Sequence, residues 1–340
     1  MRVVNWSYVM NTIEKMINAA KNAMTYVMDL KPEDAVLVVT DESTKSIGES
    51  FYFAAKESGC TSDLYFLPEF ERPLIYVPGE MERMLDNRTV VINVFKALGE
   101  ETPFRVKWIK RIAATQSIRL GHGPGITESM MVDGPMNVDY DSMLNTAKKL
   151  MNAFENAISV RITAPGGTDI KLGIEGRTFS TDVKITTDHF GNLPCGEIWC
   201  APIEHSGEGV IVCDGSIGNI GQVPEPLTIT IRKGQILEFK YDDADLKGKI
   251  QKLISIDDDA RIIGELGVGL NPAATLTGNL LEDEKAFRTA HIAFGNNEDM
   301  TGGSNKSQTH LDFLFYNPTF VVTFADGSKR VLIRDGDLQI

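Results

Sequence analysis

Four short stretches in the second half of the chain set acids or imidazoles among glycine and apolar residues. They are Phe190-Gly191-Asn192-Leu193-Pro194-Cys195-Gly196-Glu197, Gly264-Glu265-Leu266-Gly267-Val268-Gly269-Leu270-Asn271-Pro272, Ala290-His291-Ile292-Ala293-Phe294-Gly295 and Thr309-His310-Leu311-Asp312. Glycine lets backbone approach a ligand closely, and apolar neighbours bury the polar group among them. A buried carboxylate without a partner is costly, and a metal ion is one way to compensate it. Three carboxylates and two imidazoles in such settings can hold divalent metal. On a strand, positions i and i+2 share a face, so His310 and Asp312 would stand side by side. A structural His–Asp hydrogen bond is the alternative for that pair, and turn capping is the alternative for Glu197 and Glu265.

The chain has five histidines, so their settings can be compared one by one. His122 lies in Gly121-His122-Gly123-Pro124-Gly125 and is expected on a loop, as a surface residue rather than a lid contact. His189 and His205 have polar neighbours and read as loop residues, which leaves His291 and His310 as the pair in apolar surroundings. Other chemistries lack their signatures. After the first strand comes Thr40-Asp41-Glu42-Ser43-Thr44-Lys45-Ser46, without the glycines of a dinucleotide turn or a phosphate loop. Neither G-x-S-x-G nor H-E-x-x-H occurs.

The elements that must position these residues change character near the middle. Tyr8 to Met28 carries Val9, Ile13, Met16, Ile17 and Ala20 at helical spacing. Ala35 to Val39, Asp63 to Leu67 and Thr89 to Val94 read as strands, with helices over Ser46 to Glu57 and Asp139 to Phe154. This alternation predicts right-handed βαβ units and an open α/β sheet. From Ala157 onward strands dominate: Val160–Thr163, Asp169–Ile174, Gly209–Cys213, Leu227–Ile231, Gln235–Tyr241, Thr319–Phe324 and Lys329–Ile333. Pro165-Gly166-Gly167, Lys233-Gly234 and a hairpin turn at Asp326-Gly327 separate them, and one helix is expected near Lys247 to Ile254. The expected division is an α/β domain over residues 1–156 and a mostly antiparallel β domain over 157–340 that carries the metal site.

With 340 residues, 42% of them hydrophobic, the chain can build two cores. Its net charge of −13 argues against a nucleic-acid partner, which would want a basic footprint. No apolar run reaches the length of a membrane span, and Met1-Arg2 leads into Asn5, Ser7, Asn11 and Glu14 rather than a signal-peptide core. The cytoplasm is the expected compartment. The four cysteines lack C-x-x-C spacing and read as buried free thiols.

At the four stretches the chain resembles the thermophilic-type metallo-aminopeptidase family. Pro165-Gly166-Gly167-Thr168-Asp169-Ile170 is similar to the family's P-x-G-T-D-L entry, with Gly176-Arg177 after it. Asn192-Leu193-Pro194-Cys195-Gly196-Glu197 resembles N-L-P-x-G-E, with Ala201-Pro202 following. Gly264-Glu265 with Asn271-Pro272, then Asp283-Glu284-Lys285 leading to His291, then His310-Leu311-Asp312, continue the resemblance in order. It implies a two-metal site (zinc, cobalt, manganese or magnesium) on Glu197, Glu265, His291, His310 and Asp312, with Glu265 bridging. It also implies an aminopeptidase acting on peptides, and a homodimer. The sequence departs from the family at two places. Arg288 stands where a glycine precedes the family's threonine, and Asn296-Asn297-Glu298-Asp299 replaces the stretch holding its catalytic tyrosine. Arg288 is therefore a candidate clamp for a substrate carboxylate, since guanidinium grips carboxylate bidentately, with an ion pair to Asp283 or Glu284 as the alternative. The same fold family includes a ring-cleaving dihydroxypyridine dioxygenase with one iron. Its two-histidine, one-carboxylate triad would correspond to one Fe(II) on His291, His310 and Asp312. A third reading is a non-peptidase member that binds a small molecule through Arg288.

Overall fold

The β-branched run at Ala35–Thr40 forms a strand whose residues from Val36 onward are buried. Parallel strands Thr61–Phe66 and Val90–Val94 flank it, and Arg119–His122 and then Gly191–Asn192 extend the sheet on one side. Burial on both faces explains the continuous apolar reading of the central strands. Against one face pack Leu37, Val39, Val91, Phe95, Phe104 and Trp108, the last two from the helix Thr102–Ala113. The helix Trp6–Tyr26 packs with the helix Lys45–Glu57 and buries Met16, Ala20, Ala23 and Met24, while Ile13 remains at the surface. The computed structural model describes residues 6–340, with side chains from Met10 onward. The readings of Met1, Arg2, Asn5, Ser7 and Val9 lie outside the described side chains.

In the second half the strands pair antiparallel in two sheets among the described residues. The eight-stranded sheet has Ala157–Thr163 between Asp169–Gly173 and Thr319–Phe324. Its hairpin at Asp326-Gly327 closes with Phe324 N donating to Ser328 O at 3.0 Å. The seven-stranded sheet runs Gly221–Gln222, Ser216–Ile217, His310–Tyr316, Thr289–Gly295, Ile263–Gly269, Glu197–Cys200 and Ser180–Thr181. The expected helix is Ala244–Leu253, started by Asp243, whose side chain accepts from Leu246 N. The architecture is thus an open α/β first half followed by a mostly antiparallel β second half.

The chain divides into two compact units. One ends at Leu144 and also takes Asp182–Cys195, and the other comprises Asn145–Thr181 and Gly196–Ile340. The division falls inside the helix Tyr140–Phe154. The returning segment has a physical reason: Gly191 and Asn192 pair in parallel with Gly121 and His122. Among the described residues no helix is long and apolar enough to cross a membrane.

Candidate metal centre

Four adjacent strands of the seven-stranded sheet carry the five candidate ligands. Glu197 begins Glu197–Cys200, Glu265 lies on Ile263–Gly269, His291 on Thr289–Gly295, and His310 and Asp312 on His310–Tyr316. The register puts all five on one face. Glu197 stands opposite Gly269, Glu265 opposite Ala293, Ala293 opposite Asp312, His291 opposite Gly267, and His310 opposite Gly295. Cross-strand partners and i, i+2 neighbours share a face, so the cluster is interspersed with glycine and alanine. The alternate positions, Leu266, Val268, Ile292, Phe294, Leu311 and Phe313, are buried apolar residues on the other face.

The small residues make room for the polar ones. A Cβ added at Gly267 would lie 1.9 Å from His291 Nε2, so the imidazole occupies the space a side chain there would fill. The glycine-rich texture around Glu265 is therefore a requirement of packing ligands on neighbouring strands. It is not a phosphate-binding turn.

The ligand atoms form two trios that share one residue. Glu197, Glu265 and His291 make the first, and Glu265, His310 and Asp312 the second. Glu265 divides its oxygens between them: Oε1 lies 3.3 Å from His291 Nε2, and Oε2 lies 3.0 Å from His310 Nε2. Glu197 Oε2 is 3.6 Å from His291 Nε2, and Asp312 Oδ1 is 3.5 Å from His310 Nε2. His310 Nδ1 donates to Asn296 O at 2.7 Å, which turns its Nε2 toward the carboxylates. The side chains of Glu197, Glu265, His291 and Asp312 are at most 8% exposed, whereas that of His310 is 32% exposed, so the centre opens to solvent on the His310 side.

The electrostatics fit a cation. Burial opposes charge on Glu265, yet its hydrogen bonds with His291 and His310 hold its carboxyl well below the usual range. Burial likewise opposes charge on His291, but the bond to Glu265 and the fields of Glu197, Glu265 and Asp312 raise it to about 9. His310 is raised well above its ordinary value against burial, by Asp312 and Glu265. Without metal, the three carboxylates draw protons onto both imidazoles. Divalent ions would meet the same demand with neutral histidines as ligands.

Other expectations change on contact with the structure. Arg288 is not brought to the cluster: its Nη2 lies 2.5 Å from Asp337 Oδ1, and both side chains are half exposed. Its φ of 66° is in the left-handed region, which glycine adopts without strain. Asp283, the other partner considered for Arg288, accepts instead from Thr277 N at 2.7 Å. His291 groups with Glu197 and Glu265, and His310 groups with Asp312 and Glu265. His122 is buried, not a surface loop residue. It ends a central strand, Asn93 Nδ2 donates to its Nδ1 at 3.1 Å, and burial pushes its pKa down to about 3. The four cysteines are buried free thiols, as read. Sequence reasoning missed Lys285, which is fully buried with its ammonium against Glu197 and 2.6 Å from Glu284 Oε1. Its flanking Ala286 and Phe287 were the available signal.

The chain is similar to known metallopeptidases in sequence and in fold. Residues 131–338 match the thermophilic metalloprotease (M29) family. The chain is 30% identical over 196 residues to aminopeptidase T of Thermus aquaticus, covering 50% of this chain and 46% of that protein. It is 24% identical over 173 residues to aminopeptidase AmpS of Bacillus subtilis (strain 168), covering 44% of this chain and 41% of that protein. Each match spans less than half of the relative's own length. In fold the chain is similar to 2,5-dihydroxypyridine dioxygenase from Pseudomonas putida KT2440, with a TM-score of 0.73 at 17% identity over 95% of this chain and 96% of that one. It is similar also to wild-type AmpT from Thermus thermophilus, with a TM-score of 0.70 at 16% identity over 96% of this chain and 99% of that one. With more than half of its length matched, the chain belongs to the thermophilic metalloprotease family.

Proposed function

We propose that the protein is an aminopeptidase that releases N-terminal residues from peptides, using two divalent ions held by Glu197, Glu265, His291, His310 and Asp312. The observation that carries this reading is the division of Glu265. Its two oxygens face two different imidazoles, and it belongs to both ligand trios. Two ions sharing one bridging carboxylate would use both of its oxygens. When bound, such ions polarise a scissile carbonyl, lower the pKa of a water and anchor a free amine. The chain's own residues supply the rest. Asn296 O fixes the His310 tautomer with Nε2 turned inward, and the buried apolar face behind the strands keeps the ligand face rigid. Lys285 compensates Glu197 at the closed end, and His310 stands at the open end where substrate and water enter. The native ion is zinc, cobalt, manganese or magnesium in this reading, and the setting is a cytoplasmic homodimer.

The test is hydrolysis of aminoacyl-anilides beside their N-acetylated forms, by protein stripped with chelator and reloaded with each metal. Release from the free amine alone, restored by metal, is the expected result. Failure of every reloaded form to cleave, with oxygen consumption on dihydroxypyridine in Fe(II), would turn the reading to a ring-cleaving oxygenase.

A further inference from the structure

The two trios have the same formal composition, two carboxylates and one imidazole, but not the same surroundings. The ion-pair partners of Glu265 and Asp312 are imidazoles. Glu197 has a lysine. The Lys285 ammonium bonds Glu197 Oε1, while Glu197 Oε2 faces His291 Nε2 at 3.6 Å. One carboxylate thus stands between an ammonium and the place of an ion. Lys285 is wholly buried, so water does not screen its charge, and it is braced by Glu284 Oε1 at 2.6 Å.

We propose that Lys285 is a resident counter-charge that makes the two halves of the centre unequal. This rests on the two-ion reading above. The half formed by Glu265, His310 and Asp312 takes its ion first and tightly. The half formed by Glu197, Glu265 and His291 takes the second ion weakly and exchanges it. The physical reason is repulsion between the ammonium and a divalent ion across a single carboxylate, in a site where the low dielectric leaves like charges strongly coupled. The same contact explains how the second ion can leave. A buried carboxylate without a partner is costly, and Lys285, beside His291, keeps Glu197 paired when that ion is gone. Lys285 is thus a positioning and charge-setting residue, and the centre is built to exist in one-ion and two-ion states.

The experiment is calorimetric titration of chelator-stripped protein with Zn²⁺ alone, so that no turnover enters the readout. The native protein should bind in two separated steps. His291→Ala should remove the weaker step and keep the tighter one, and His310→Ala should remove the tighter one. Lys285→Gln, which keeps a hydrogen-bond donor toward Glu197 but no charge, should tighten the weaker step by at least about tenfold. Lys285→Met should tighten it as well, because the charge and not the hydrogen bond sets the difference. An unchanged or weakened second step in Lys285→Gln overturns the proposal, as does loss of the tight step in His291→Ala. If neither lysine variant folds, the native protein decides. Release to excess chelator must be biphasic, and it must become single and slow in His291→Ala. Saturation of the native protein at one ion would instead contradict the two-ion reading itself. Failure confined to the lysine variants leaves that reading standing.

Discussion

Two buried acid clusters, one in each unit, differ in how their charge is met, and the difference separates a structural cluster from a candidate metal site. In the first unit Asp41 and Glu101 are 0% exposed. They lie by the switch point where the chain turns from Thr61–Phe66 on one side of the central strand to Val90–Val94 on the other, the usual place for a ligand in an open α/β sheet. Here the chain fills that place itself. Arg72 grips Glu101 through Nε at 2.9 Å and Nη2 at 2.7 Å and reaches Asp41 with Nη1. Asp41 also accepts from Lys96 N at 2.7 Å and from Ser43 Oγ at 2.6 Å. The cluster brings its own permanent cation and its own donors. In the second unit Glu197, Glu265 and Asp312 face two imidazoles that become cationic only by taking up protons, and one lysine at the far end. The first cluster is compensated by the chain itself, whereas the second relies largely on partners that titrate.

The sharpest way to break this comparison is Arg72→Met. Removing one partner of a buried ion pair costs about 3–5 kcal/mol because the remaining charges lose their compensation. Urea unfolding should show that loss equally with metal and with chelator. Dependence of the loss on metal would mean that the two clusters are not independent.

Opposite pH limits are expected next. His291 is raised to about 9 from 6.5. Its contribution in stripped protein is therefore complete below pH 6.5 and lost as pH rises through about 9. Loading with metal should abolish this alkaline loss. His122 is depressed from 6.5 to about 3, so its folded state is penalised as pH falls below 6.5, by about 1.4 kcal/mol per pH unit until about 3. Asp41, lowered by its hydrogen bonds and Arg72 against burial, adds a loss in acid below 3.8. Thermal melts from pH 3 to 10 on stripped and loaded protein, with His122→Gln to flatten the acid limb, separate the acid and alkaline limits. An alkaline loss that metal does not remove would contradict the assignment of His291.

Gly267→Ala should cost about 1–3 kcal/mol by overpacking, since the new methyl meets the His291 ring. It should also weaken metal binding at the His291 half more than at the His310 half. Equal weakening of both would show that the strand as a whole had moved. The smallest effect belongs to Arg288→Gly. The variant exchanges a left-handed arginine and an exposed ion pair for a glycine, a net change within about 1 kcal/mol. It should leave zinc stoichiometry untouched. A lost preference for free-acid dipeptides over their amides in this variant would return Arg288 to the substrate site.

What was legible in the sequence follows from what is local. Glu197, Glu265, His291, His310 and Asp312 could be read because acids and imidazoles among glycine and apolar residues are anomalous wherever they fall, and His310 and Asp312 because i and i+2 is a strand relation. The strands Ile263–Gly269 and Thr289–Gly295 were harder to read. Glycine has low strand propensity, and here it is selected by the bulk of His291 on the neighbouring strand. Lys285 follows Asp283 and Glu284 and looks like an ordinary surface charge until Glu197, distant in sequence, is beside it. His122 was misplaced because its glycine neighbours suggested a loop. Those glycines instead let strands and side chains close in, as where a Cβ on Gly121 would lie 2.7 Å from Leu193 Cδ1. The return of Asp182–Cys195 to the first unit rests on pairing of Gly191 and Asn192 with a distant strand, which no local pattern carries. Arg288 and Asp337 met for the same reason.

The central claim is that Glu265 joins two ions. The most direct measurement is metal content per chain, by elemental analysis after saturation with zinc and gel filtration, in native protein, Glu197→Ala and Glu265→Ala. A bridging Glu265 requires two ions in the native protein, one in Glu197→Ala and close to none in Glu265→Ala. Equal stoichiometry in the two variants, or full retention of metal without Glu265, would contradict it.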